Sequence, residues 1–372
     1  MKYLTKNNFW GNNNMKMSKA ISTSGLSACL FFCLAGFMGS ANALSEKEAL
    51  GKKLYFDENL SEPNGQACAS CHLPSAGFAD PDQNLPVSEG VIPGRFGGRN
   101  SPTASYAAFS PEFTLKGGVK GGQFWDGRAA NLTEQAKGPF LNPVEMNNPD
   151  KASVIADVVA SIYAADFEAV YGVGSLNNIE QAYDNVADAI ATYEKSIELN
   201  AFTSKYDEVQ AGRASFTTQE QQGLALFTGR GKCAHCHSVE GGKKQDLFSD
   251  FSYHNIGLPR NTEFPYSLIT DPQPDLGLGG VIINDKYNGQ FKTSHLRNIA
   301  ATAPYMHNGV LKTLKEVVNF YNTRDIPGIW PSPEVPENLD GNFIGDLGLT
   351  DAEEDAIVSF METLTDGYVP VQ

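Results

Sequence analysis

Cys68-Ala69-Ser70-Cys71-His72 recurs once in the 372-residue chain, as Cys233-Ala234-His235-Cys236-His237. Each copy is a C-x-x-C-H motif and reads as a c-type haem attachment. Two thiols are set to form thioethers with the haem vinyl groups, and the adjoining imidazole is set to ligate the iron. At this cysteine and histidine content a chance copy has odds on the order of one in several hundred, and the second copy multiplies them. Thiol exchange would expect a βαβ setting, and zinc a second C-x-x-C or H-x-x-H close by. Neither accompanies either motif.

Upstream of the first motif, residues 1–43 read as a secretory signal. Lys16 and Lys19 precede an apolar run over residues 26–38, and Ala41-Asn42-Ala43 supplies an A-x-A cleavage site. The apolar core is too short for a membrane span. Leu26-Ser27-Ala28-Cys29 only faintly resembles a lipoprotein box, because the apolar residues follow its cysteine. The signal implies export to the periplasm, an oxidising compartment. Cys29 and Cys33 leave with the signal and the other four cysteines lie in the two motifs, so no structural disulfide is available. With 43 acidic against 28 basic residues the net charge is −15, and it becomes more negative once the lysines of the signal are removed. Such a surface disfavours nucleic acid and anionic lipid and suits a basic or neutral partner.

Between and after the motifs the periodicity is helical. Ser45-Glu46-Lys47-Glu48 is a capping box opening a helix towards the first motif. Residues 73–122 are rich in Gly and Pro without sustained periodicity, and their aromatics argue for an ordered loop wrapped over haem. Helices are expected at 131–137, 151–171 and 178–199, and a short one at 218–227 runs into the second motif as the first helix runs into the first. Capping boxes at Thr313 and Thr350 open two more. Strand signals are sparse, with one expected at 281–283. The chain is therefore expected to be mainly α, with two cytochrome-c-like haem domains joined by long loops: a peroxidatic domain over 44–200 and an electron-transfer domain over 201–372, whose last helix is free to pack back on the first.

Further motifs narrow the reading. Arg99-Asn100-Ser101-Pro102-Thr103, Gln123-Phe124-Trp125-Asp126-Gly127-Arg128, Asn142-Pro143-Val144-Glu145-Met146, Leu296-Arg297-Asn298 and Ala303-Pro304-Tyr305-Met306-His307-Asn308-Gly309 occur in this order. The set resembles the bacterial dihaem cytochrome c peroxidase family, in its MauG-type branch, over nearly all of the chain beyond residue 43. The resemblance implies that the first haem, with His72 proximal, meets hydrogen peroxide, and that the second, with His237 proximal, stores or relays electrons.

In many members a histidine in the loop after the first motif caps the first iron until reduction releases it. Here that loop, residues 86–94, has none, and no histidine occurs between His72 and His235. The first iron is expected to be open without reductive activation. By offset within the family, the second iron's distal ligand is Tyr321 where other members have methionine; Met306, His254, His295 and His307 remain rivals. Phenolate stabilises higher oxidation states, whereas thioether favours Fe(II).

By the same resemblance Glu145 is the acid-base group that moves a proton between the two oxygens of peroxide. Gln135 and Pro139 shape the distal pocket, and Trp125 relays a hole between the haems. Asn100, Thr302 and Pro304 match a calcium site of amide and carbonyl oxygens. Each of these also has a bland alternative, such as a solvated carboxylate or a buried aromatic beside a turn. The function so implied is peroxide-driven oxidation, over distance, of tryptophan-type residues in a partner protein. The alternatives are a peroxidase drawing electrons from a small cytochrome c or copper protein, and a two-haem electron carrier without catalytic activity.

Overall fold

The structure, a computed structural model, describes residues 43–240 and 245–370, so the expected signal lies outside the described residues except for Ala43. Helix α1 (Glu46–Tyr55) starts at the Ser45 capping box, with Ser45 Oγ accepting from the Glu48 amide and the Glu48 carboxylate accepting from the Ser45 amide. It leads to the single turn α2 (Cys68–Cys71), which is the first motif itself. After a long ordered loop come α3 (Leu132–Ala136), α4 (Gly138–Leu141), α5 (Lys151–Ala160), α6 (Ala164–Tyr171) and α7 (Ile179–Glu194). The second half holds α8 (Lys205–Gln210), α9 (Thr218–Thr228), α10 (Leu278–Ile282), α11 (Leu314–Thr323) and α12 (Asp351–Glu362). The capping boxes expected at Thr313 and Thr350 are both formed.

Two expectations are corrected. The helix expected over 151–171 is two helices: the Ser161 hydroxyl donates to the Val158 carbonyl at 2.7 Å and ends α5, and the chain turns to bury the Tyr163 ring with its hydroxyl on Asp57. The strand expected at 281–283 is instead the end of α10, since a short apolar run does not by itself distinguish strand from helix. The named strands are the two-residue antiparallel pair β1 (Tyr253–His254) and β2 (Phe291–Lys292).

Two apolar clusters form the core. One gathers residues between Leu50 and Leu199, from α1, α5, α6, α7 and the loop at Phe78. The other gathers residues between Tyr206 and Leu364, from α8, α9, α11 and α12. In the first, α1 crosses α7 at Gly51, where a Cβ would collide with the Ala189 carbonyl and crowd Tyr193 Cβ. In the second, α9 crosses α12 at Gly223, where a Cβ would collide with the Ala356 carbonyl and crowd Phe360 Cβ. The same device is used twice: a glycine in the helix before the motif lets a later helix lie backbone to backbone across it. α12 packs on α9 and α11. The chain beyond it reaches the first half, where the Tyr106 hydroxyl donates to Asp366 at 2.8 Å. Among the described residues no helix is long and apolar enough to cross a membrane.

Candidate haem sites

The two motifs are held in parallel ways. His72 sets Nδ1 3.3 Å from the Phe78 carbonyl, and His237 sets Nδ1 2.8 Å from the Phe248 carbonyl. Both phenylalanines sit in the left-handed region, at φ 61° and 55°, which turns their carbonyls back towards the rings. With Nδ1 turned to these carbonyls, Nε2 is the nitrogen that would address a metal. Burial lowers both pKa values, opposed by backbone groups of Phe78 and Pro102 at His72 and of Phe248 and Ser294 at His237. The Tyr55 hydroxyl donates to the His72 carbonyl at 2.9 Å and fixes the end of the first motif. Cys68, Cys71, Cys233 and Cys236 are all free thiols. Burial pushes Cys68, Cys71 and Cys233 up, which suits thiols awaiting a thioether better than thiolates meant for exchange. This donor set fits a c-type haem at each motif.

Around the first motif the structure brings Glu145 near both cysteines, whose thiols feel its field. Desolvation raises the Glu145 pKa, opposed by the charge of Arg128 and by Asn142, whose Nδ2 donates to Oε1 at 2.9 Å. Gln135 and Pro139 lie four residues apart across α3 and α4. The Pro139 carbonyl accepts from the Met146 amide at 3.2 Å, which ties that wall to Glu145. The loop at residues 86–94 is fastened to the same place: the Val91 amide donates to the Glu145 carbonyl at 2.9 Å, and a Cβ on Gly90 would collide with the Val144 carbonyl.

Around the second motif lies a cavity of about 260 Å³ bordered by Cys233, Cys236, His237, Tyr321 and Trp125. Asn100, Thr302 and Pro304 also line it. Trp125 is held on both sides, with its indole N–H donating to the Asn100 carbonyl at 2.8 Å and its own carbonyl accepting from the Lys292 amide at 2.8 Å. Asn100 Nδ2 donates to the Pro86 carbonyl at 3.1 Å, and Oδ1 has no partner among the described residues.

The rival ligands Met306, His254, His295 and His307 line this cavity too, so proximity alone does not separate them. Their engagements do differ. His254 has Nδ1 2.5 Å from Asp340 and Nε2 2.7 Å from the Ser252 hydroxyl, and His307 stacks on Phe291 with ring centroids 3.6 Å apart. The Tyr321 hydroxyl has no hydrogen-bond partner among the described residues, and burial pushes its pKa well up.

Comparison with known proteins decides the family. The model of the di-haem cytochrome c peroxidase family matches residues 45–215. The methylamine utilization protein MauG of Paracoccus denitrificans is 41% identical over 86% of this chain and 88% of its own length. The chain belongs to the di-haem cytochrome c peroxidase family. Family membership makes it a haem oxidoreductase and implies two haems. The cytochrome-c peroxidase IdrP1 of Denitromonas iodatirespirans is 32% identical over 86% of this chain and 82% of its own. Among solved structures, the diheme peroxidase BthA of Burkholderia thailandensis superposes with a TM-score of 0.80 at 34% identity, covering 86% of each chain.

Sequence reasoning did not mark two features of these sites. Glu194 is buried near Cys68 with Oε2 unpartnered among the described residues, yet on the sequence it is one more acid in a charged helix. Lys292 borders the second cavity from a segment without periodicity, beside His295, which the sequence marked only as a rival iron ligand.

Proposed function

We propose that this chain is an exported MauG-type dihaem enzyme that uses hydrogen peroxide to oxidise residues of a partner protein over distance. One covalent haem is attached at Cys68 and Cys71 within residues 44–200, the other at Cys233 and Cys236 within residues 201–372, with His72 and His237 as proximal ligands. The observation that carries the reading is the loop at residues 86–94: it contains no histidine, and its backbone is clamped beside Glu145. Reductive release of a capping ligand is then unnecessary. The greater similarity to a MauG, 41%, than to IdrP1, 32%, supports the same branch.

When bound, the haems supply the redox centres that accept oxidising equivalents from peroxide. The chain's own residues set where protons and charge go. Glu145, with a raised pKa and an amide on Oε1, is suited to hold a proton and shift it between the two peroxide oxygens. Gln135 and Pro139 orient and wall that space. Trp125, fixed by Asn100 and Lys292, is the relay for a hole between the halves. Tyr321, whose buried hydroxyl has no hydrogen-bond partner among the described residues, would hold the iron of the second haem together with His237, as its position within the family implies. Binding there would lower a phenol pKa that burial raises. Asn100, Thr302 and Pro304 are proposed to bind calcium through oxygen atoms. A second reading, a peroxidase fed by a small electron-transfer protein, is favoured by the relatives named as peroxidases.

The test is to mix ferric protein with stoichiometric peroxide and follow rapid-mixing spectra. A long-lived species two oxidising equivalents above resting should form without prior reduction. Trp125→Phe should confine the change to one haem. Glu145→Gln should slow its formation by about 100-fold to 10,000-fold. Inertness until half-reduction, followed by fast turnover with reduced cytochrome c, would establish the second reading instead.

A further inference from the structure

Lys292, His295 and Arg297 follow one another from β2 onward, and all three line the cavity that contains His237. Arg297 is 0% exposed and His295 7%. Most of the Arg297 guanidinium is engaged: Nε donates to the Asp246 carbonyl at 2.7 Å, and Nη1 donates to Asp207 at 2.7 Å and to Ser204 at 3.3 Å. Nη2 has no partner among the described residues. The rings of Phe202 and Phe248 lie 4.9 and 5.6 Å from its central carbon, so no water replaces the missing acceptor on those sides.

His295 repeats the pattern. One side of its ring addresses the Ser105 carbonyl, and Nδ1 is unpartnered among the described residues. The Lys292 ammonium meets only neutral oxygens, the Gly122 carbonyl and the Ser110 hydroxyl, and burial pulls its pKa down to about 8. Among the described residues no carboxylate lies within ion-pair distance of it. Lys292, Arg297 and His237 all act electrostatically on His295, so the four groups form one neighbourhood. An unpaired buried guanidinium N–H, an unpaired ring nitrogen and an ammonium without a counter-ion are each costly in isolation. Arg297 is already paired with Asp207 through Nη1, and the charge of Asp126 reaches Lys292. The free Nη2, the free ring nitrogen and the ammonium bonded only to neutral oxygens nevertheless border one cavity, and they suit an acceptor group that the described residues do not place there.

We propose that Lys292, His295 and Arg297 form the seat of the two propionate side chains of the haem attached at Cys233 and Cys236. The inference rests on the covalent attachment proposed for the second motif. Lys292 supplies the charge that offsets a carboxylate, Arg297 donates its free Nη2 N–H, and His295 offers its free Nδ1 to share a proton with one of them. By holding positive charge beside the haem edge, Lys292 stabilises Fe(II) over Fe(III) at the second site relative to an uncompensated haem, while Arg297 and His295 fix the propionates in place.

The test uses the full holoprotein and the variants Lys292→Met and Arg297→Lys, with intact mass, redox titration of the second haem and its propionate bending band in resonance Raman spectra. Lys292→Met should keep two haems and shift the propionate band. At the potential where wild type is half-reduced, its Fe(III) to Fe(II) ratio should rise roughly tenfold, as expected for one charge lost at haem-edge distance and intermediate dielectric. Arg297→Lys retains the charge but loses the fork, and should shift the band with a smaller change in ratio. If both variants hold two haems and neither the band nor the ratio moves, the propionate seat is overturned. A wild-type mass with no haem on the second motif would instead overturn the attachment on which the inference rests.

Discussion

At the scale of single residues, Tyr321 and Glu194 carry the clearest consequences. Tyr321→Phe should abolish the low-spin ferric signal while intact mass still shows both haems. Met306→Leu should leave that signal in place. Glu194 is the less expected of the two. Burial raises its carboxyl from the ordinary 4.5 to about 8, so folding takes up a proton at neutral pH. Its contribution to stability is full below about pH 4.5 and falls as pH rises towards 8, at about 1.4 kcal/mol per pH unit. Denaturant unfolding of the holoprotein across that window should show the slope in wild type and a flatter profile in Glu194→Gln. The cysteines and histidines of both motifs were legible in the sequence because their chemistry depends on contiguous spacing. Glu194 was not, because its role comes from what a helix buries it against, and residues 179–194 contain other acids that look the same on paper.

At the scale of elements, the glycine crossings are the sharpest constraint. Gly223→Ala puts a methyl group into the Ala356 carbonyl and Phe360 Cβ, both parts of a packed helix that cannot yield as a flexible side chain would. The cost should be about 1–3 kcal/mol, read as a lower denaturation midpoint with an unchanged m-value. The order of helix and then motif could be read twice from the sequence, as could the capping boxes at Ser45, Thr313 and Thr350, since a cap is a local hydrogen-bonding pattern. The partners of Gly51 and Gly223 could not, being more than 130 residues away. The break at Ser161 was hidden because Ile162 continues the apolar periodicity, although in the fold it is fully exposed.

At the scale of the whole molecule, the two apolar clusters each enclose one motif's neighbourhood, so losing one haem need not empty the other half. On the proposed covalent attachment, intact mass should equal the polypeptide plus two haems, resistant to acid acetone, and replacing Cys68 and Cys71 by alanine should remove only one. The fixed loop at residues 86–94 bears on how such a protein behaves over time. It is anchored to Glu145 through Val91 and to Asn100 through Pro86, and it is wedged against Gly309, where a Cβ would come 2.5 Å from the Pro86 carbonyl. Those contacts would all have to break before the segment could take a second position. If the proposed function holds, progress curves should therefore start at full slope with no induction period, and the timing of activity would be set by the supply of oxidant rather than by the protein's own conformation.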